Sequence, residues 1–145
     1  MDPYSRSLVD MVKGVVHLEL PQPPTANLYW RKFRNRMVRS AVATAYKEAV
    51  WMLSSRYRLH TADGHLRPLF QTEPVAVTVK WYRGLGRNHQ RQGDLDNRLK
   101  VLLDALQDSV YTSDGQVVEL HAYRIDGDES VVGGRMLVDV VPRVS

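Results

Sequence analysis

The chain has no cysteine. That excludes disulfides and thiolate metal sites, and leaves only oxygen or imidazole ligands for any metal ion it holds. No apolar run approaches the ~18 residues a membrane span needs, and nothing at the start reads as a signal peptide, so a cytoplasmic protein is expected. Acidic residues are missing from two long tracts. None lies between Glu19 and Glu48, where Arg31, Lys32, Arg34, Arg36, Arg39 and Lys47 fall. None lies between Glu73 and Asp94, where Lys80, Arg83, Arg87 and Arg91 fall. The net charge of +4 hides this asymmetry: residues 1–93 carry fifteen Lys/Arg against six Asp/Glu, and residues 94–145 carry five against ten. Solvated surfaces ordinarily mix signs, so acid-free basic tracts suggest a polyanion such as nucleic acid.

What is present fits one domain of 145 residues, long enough to bury a core without staples. Val16, Leu18 and Leu20 alternate with His17 and Glu19 in a half-buried strand closed by Pro21, Pro23 and Pro24. Residues 39–60 read as a helix that Ser40 could cap, with Ala41, Val42, Ala45, Ala49, Met52 and Leu53 as its buried stripe. Residues 61–68 form a turn-rich loop, and "PVAVTVKWY", 74–82, is a second alternating strand whose Lys80 faces solvent. A basic loop with three glycines, 83–93, is expected to be mobile. Leu95, Leu99, Leu102, Leu103 and Leu106 then recur at helical spacing. Residues 115–126 and 133–142 are expected to pair as a hairpin. The order β-α-β-α-β-β predicts an α/β (α+β) layer fold, two main helices on a small mixed sheet. Residues 1–13 and the last few, which show no period, are expected to fray.

The chemistry centres on "GDLDN", 93–97. Side chains two apart in a helix diverge, whereas in an extended segment they share a side. Asp94 therefore belongs at or before the helix start and Asp96 in its first turn, with Lys100 on the same face as Asp96. One reading is structural: a helix cap worth ~1 kcal/mol, and a surface bridge from Lys100 to Asp96 or Asp104 worth ~0.3–0.5 kcal/mol. The other is a shared cation. Asp114, in a turn before the third strand, would approach the pair if that strand lay beside the one ending near Tyr82. Three converging carboxylates would repel one another, and a hard divalent ion such as Mg²⁺ or Mn²⁺ would relieve it. Competing sites are weaker. Asp126, Asp128 and Glu129 lack the glycine and distal glutamate of a calcium loop, the five histidines show no ligand spacing, and "GLGRN" lacks a phosphate loop's lysine.

Three segments in this order resemble the RusA family of Holliday junction resolvases. "PQPPTANLYWR", 21–31, is similar to its proline-rich opening; "GDLDNRLKVLLDAL", 93–106, to its D-L-D-N-x-x-K-x-x-x-D-A-L signature; "SDGQVVEL", 113–120, to its [DS]-D-x-Q-V-V segment. The resemblance implies that Asp94, Asp96 and Asp114 are catalytic and hold Mg²⁺ or Mn²⁺, with Lys100 as catalytic lysine and Asn97 and Gln116 in support. It implies a homodimer that nicks a four-way DNA junction in paired positions, and two copies about a two-fold axis would supply both cuts. Arg31, Lys32, Arg34, Arg36, Arg39, Arg83, Arg87 and Arg91 would then grip phosphates, with Asn27 and Tyr29 near the junction. This chain departs from the pattern at Ser113, where some members carry another aspartate, in a more basic segment after "YWR", and in a longer glycine-rich loop. Rival readings are a non-catalytic DNA-binding module, a transferase using the DLD, and a RusA-like nuclease preferring flaps or replication intermediates.

Overall fold

The computed structural model describes residues 14–26, 30–83, 95–126 and 134–143. Four strands form the main sheet: β1 (Val16–Pro21), β6 (Val75–Tyr82), β7 (Val117–Ile125) and β8 (Arg135–Pro142). They lie in the order β1-β8-β6-β7; β8 runs antiparallel to both neighbours, and β6 and β7 are parallel. The sheet is therefore mixed, as expected. Two helices, α1 (Ala41–Leu53) and α2 (Leu95–Leu106), contribute to its single core.

The alternation in each central strand decides which face is covered. Val75, Val77, Val79 and Trp81 of β6 are fully buried, as are Met136, Val138 and Val140 of β8, and Val16, Leu18 and Leu20 of β1 continue the layer. Lys80 points to solvent on the other face, as predicted. The expected hairpin of 115–126 with 133–142 does not form. Instead β8 inserts between β1 and β6, and the physical reason is burial. Its three apolar residues need covered neighbours on both sides, whereas β7 leaves Val118, Leu120 and Tyr123 exposed and suits an edge.

Two small hairpins interrupt the expected order. β2 (Trp30–Phe33) and β3 (Arg36–Arg39) pair within the first basic tract, turning at Arg34, whose φ of 56° is left-handed. β4 (Leu59–His60) and β5 (Leu66–Arg67) pair across the turn-rich loop.

Ser40 caps α1 as predicted, its Oγ accepting from the Ala43 N–H at 3.2 Å. The helix is shorter than 39–60, because the Ser54 hydroxyl donates to Val50 O at 2.7 Å and the chain tightens into a 3₁₀ turn, Ser55–Tyr57. Its buried face is also rotated from the expected one. Ala43, Tyr46 and Val50 face the core, while Ala41, Ala45, Val42, Met52 and Leu53 are exposed. Two tyrosines explain the rotation, since each seats its ring in the core and spends its hydroxyl on β1. Tyr46 Oη donates to Pro21 O at 2.8 Å; Tyr57 Oη donates to His17 O at 3.1 Å and accepts from its N–H at 3.3 Å. The outer edge of β1 is thus capped at His17 and Pro21.

Candidate active site

α2 buries Arg98, Val101, Leu102, Ala105 and Leu106, and packs Leu95, Leu99 and Leu103 partly against the core. A 3.6-residue period that buries these positions turns Asp96 and Lys100, one turn apart, outward, and both are exposed. The expectation that they share a face holds. Asp96 Oδ1 accepts from the Asn97 N–H at 2.9 Å, a contact suited to the positive end of a helix.

The start of α2 is held by Asn97, expected in support, and by Arg98, whose part the sequence did not disclose. Asn97 Oδ1 accepts from the Ala26 N–H at 2.9 Å, tying the proline-rich segment to the helix. Arg98 is only 7% exposed; its guanidinium donates to Pro23 O and lies 5.7 Å from the centre of the Trp81 ring. Burial lowers its pKa. The Trp81 indole donates in turn to Gln22 Oε1 at 2.8 Å. An arginine in a leucine stripe, five residues beyond the end of an acid-free tract, was the available signal.

Asp114 opens a one-turn 3₁₀ helix, Asp114–Gln116, and is exposed. Ser113 and Gln116 brace this turn as a reciprocal pair: Ser113 Oγ accepts from the Gly115 N–H at 3.2 Å, and Gln116 Oε1 from the Ser113 N–H at 2.9 Å. The serine that departs from the family pattern is therefore a cap. Gln116 Nε2 also donates to Glu73 O at 3.0 Å, and Asp114 N–H to Gln107 Oε1 at 3.1 Å.

That last bond decides a question of position. Gln107 follows the C-terminal end of α2, while Asp96 lies in its first turn, about 16 Å away at 1.5 Å per residue. The third strand does lie beside β6, but parallel to it, so Val117 sits next to Val75 and not next to Tyr82. Within one chain Asp96 and Asp114 consequently stand at opposite ends of the helix, and the expected approach does not occur. Asp94 lies outside the described residues. Among the described residues no group of three or more acids, histidines or cysteines could hold a metal ion.

Between the two ends, Asp104 is engaged by Arg39 through two bonds, Nε to Oδ2 at 3.0 Å and a terminal nitrogen to Oδ1 at 3.1 Å. Arg39 also covers Trp30, 5.8 Å from the ring centre. Lys47 donates to Asp104 O at 3.2 Å, and its pKa is lowered by burial and by Arg39, against the opposing pull of Asp104 and Asp108. Tyr111 is fully buried with its hydroxyl on Leu103 O; burial, then the charges of Asp114 and Asp104, raise its pKa.

Of the basic residues, Lys32, Arg34 and Arg36 project from the β2–β3 hairpin and are exposed. Arg39, at the hairpin's end, and Arg83, bound to Asp126 at 3.1 Å, both hold acids of this chain. For Arg31 only the backbone is described, while Asn27, Tyr29, Arg87 and Arg91 lie outside the described residues, as do Asp128, Glu129, the 84–93 loop and the termini 1–13 and 144–145. No helix among the described residues is long and apolar enough to cross a membrane.

An acid and a lysine are thus displayed on a braced helix that Asp104 joins to a basic hairpin. Residues 21–135 match the family described as Endodeoxyribonuclease RusA, and the chain belongs to that family. A curated relative is the crossover junction endodeoxyribonuclease rusA of Enterobacteria phage 82, 30% identical over 121 residues, or 83% of this chain and 88% of that protein. The match begins at the end of β1 and ends at the start of β8, so it encloses both ends of α2 and the hairpin.

Proposed function

We propose that the protein is a metal-dependent, structure-specific endodeoxyribonuclease that resolves four-way DNA junctions by paired symmetric nicks in recombination and repair. One observation carries this beyond family membership: Asp96 and Lys100 are exposed together on a helix whose start is fixed by Ala26, Pro23 and Trp81. Residues that served only the fold would not need such bracing around an outward-facing pair.

Asp94, Asp96 and Asp114 would hold the metal. They offer hard carboxylate oxygens, the donor class that Mg²⁺ and Mn²⁺ prefer, and Asp96 and Asp114 are open to solvent. When bound, such an ion supplies charge neutralisation at a phosphoryl oxygen and activation of water. Lys100 places a positive charge where the phosphate gains negative charge in the transition state. Lys32, Arg34 and Arg36, with Arg31, Arg87 and Arg91, hold the backbone of the branched DNA, while Arg39 and Arg83 are engaged by Asp104 and Asp126.

The separation along α2 makes the dimer part of the site. Two copies with α2 running in opposite directions bring Asp114 of one copy to the Asp96 end of the other, and they do so twice, once for each cut.

The test is nicking of a synthetic four-way junction by the wild type and Asp96→Asn, with and without Mg²⁺ or Mn²⁺, against linear duplex and a flap. Paired, metal-dependent cuts lost in Asp96→Asn, with junction binding kept, are expected. Junction binding without cleavage under either metal would leave a binding module, and preferential flap cleavage would redirect the substrate.

A further inference from the structure

The β2–β3 hairpin has two faces, and its pairing tells which residues share them. Directly opposed residues of an antiparallel pair point the same way, as do residues two apart along a strand. Trp30 opposes Arg39 and Lys32 opposes Met37, so these four lie on one face. At the base of that face Trp30 packs against the core, and Arg39 holds Asp104 of α2 through two bonds. Toward the tip Lys32 is exposed, and Met37 is 60% exposed. The face that meets the body at its base is thus uncovered at its tip, and the hairpin overhangs.

An exposed methionine is ordinary in itself, and Met52 on α1 is another. The setting of Met37 is different. Lys32 stands across from it, Arg36 precedes it and Arg34 makes the turn, all three exposed, in a tract with no acid between Glu19 and Glu48. Such a ring of cations suits a polyanion. The broad apolar surface that a nucleic acid offers to a side chain is the face of a base.

We infer that Met37 is a wedge: it inserts against an unstacked base at the branch point of DNA whose phosphates Lys32, Arg34 and Arg36 hold, and so selects branched DNA over linear duplex. Methionine suits the part, being unbranched and polarizable, and it is among the side chains that proteins drive between base steps. Opening a step inside a continuous duplex sacrifices stacking. At a branch point the stack is already interrupted, so the same insertion costs less, and the difference becomes selectivity for structure. A cation at this position would grip any duplex alike.

The mount fixes where the wedge acts, a step that rests on the nuclease reading. Met37 stands two residues, about 7 Å, from Arg39 along β3, and Asp96 about 12 Å from Asp104 along α2. With Arg39 clamped on Asp104, wedge and acid fall within one turn of duplex, about 34 Å. A branch point pinned at Met37 therefore sets which phosphate lies at Asp96.

2-Aminopurine brightens when it is unstacked, and reports insertion without any cutting. In a four-way junction with this base at the branch point and no metal added, the wild type is expected to raise the fluorescence. With the probe in the middle of an arm, or in linear duplex, it is not. Met37→Ala should abolish the rise and lower the preference for junction over duplex by roughly tenfold, about 1.4 kcal/mol, with duplex affinity and circular dichroism unchanged. Met37→Leu should keep both, and Met52→Ala should behave as the wild type. No rise with the wild type, a rise that survives Met37→Ala, or an equal loss in Met52→Ala overturns the wedge. So does a Met37→Ala protein that loses junction and duplex affinity equally. A branch-point rise that Met37→Ala abolishes, in a protein that cuts no DNA under Mg²⁺ or Mn²⁺, would sink the nuclease reading alone. Metal-dependent junction cutting with no rise would sink the wedge alone.

Discussion

Asn97 Oδ1 and the backbone N–H of Ala26 are 2.9 Å apart, joining residues 71 positions distant in sequence. The bond anchors the proline-rich segment to the first turn of α2, next to Asp96. Asn97→Ala would leave the partly buried Ala26 N–H unpaired, a loss of about 1–3 kcal/mol. Urea unfolding should show a lower midpoint with an unchanged slope. Asn97→Asp, which keeps an acceptor, should recover part of it.

Asp96 and Asp114 occupy opposite ends of one helix, which makes complementation informative. Asp96→Asn and Asp114→Asn should each abolish nicking. A mixture of the two, unfolded and refolded together, forms mixed dimers with one intact site if the acids meet between copies. Single-strand nicking should reappear in the mixture, and its absence would place the acids in one chain. Lys100→Ala should lower the cleavage rate by roughly 10²–10³ while junction affinity changes little.

The hairpin separates two kinds of basic residue. Lys32→Ala and Arg36→Ala each remove an exposed cation, and each should reduce the slope of log affinity against log salt by about 1. Arg39→Ala should act mainly on stability, by about 1–2 kcal/mol, because its partner Asp104 is largely shielded. A double-mutant cycle with Asp104→Asn reads the coupling directly.

Tyr111 predicts an alkaline limit. Burial raises the folded-state pKa above the ordinary value of 10.0, so the folded chain holds a proton that the unfolded chain releases. Its contribution is therefore fully present below pH 10 and is lost as pH rises beyond it. Denaturation curves between pH 9 and 12 should steepen in this sense. Tyr111→Phe should flatten the dependence, at the cost of the bond to Leu103 O.

How far the sequence reached can be judged from particular residues. Alternation gave β1 and β6 with their buried faces, since a period of two has one solution once Val16, Leu18 and Leu20 are inside. It could not say which strand sits beside which, and adjacency in sequence misplaced β8. Helical spacing placed Asp96 and Lys100 together, because four residues along a helix is a local relation. The position of Asp114 depended on whether β7 runs with β6 or against it, which no local pattern records. The stripe of α1 was misjudged because Tyr46 and Tyr57 are amphipathic: the rings belong inside although the hydroxyls need partners.

The tyrosine seal on β1 also sets a limit on growth. A sheet with two open edges can add copies indefinitely, as fibrils do. With His17 and Pro21 already bonded to Tyr57 and Tyr46, a strand arriving at the β1 margin would have to displace both hydroxyls. Growth of the sheet on this side is therefore opposed by two hydroxyl groups that also anchor α1 and the 3₁₀ turn after it.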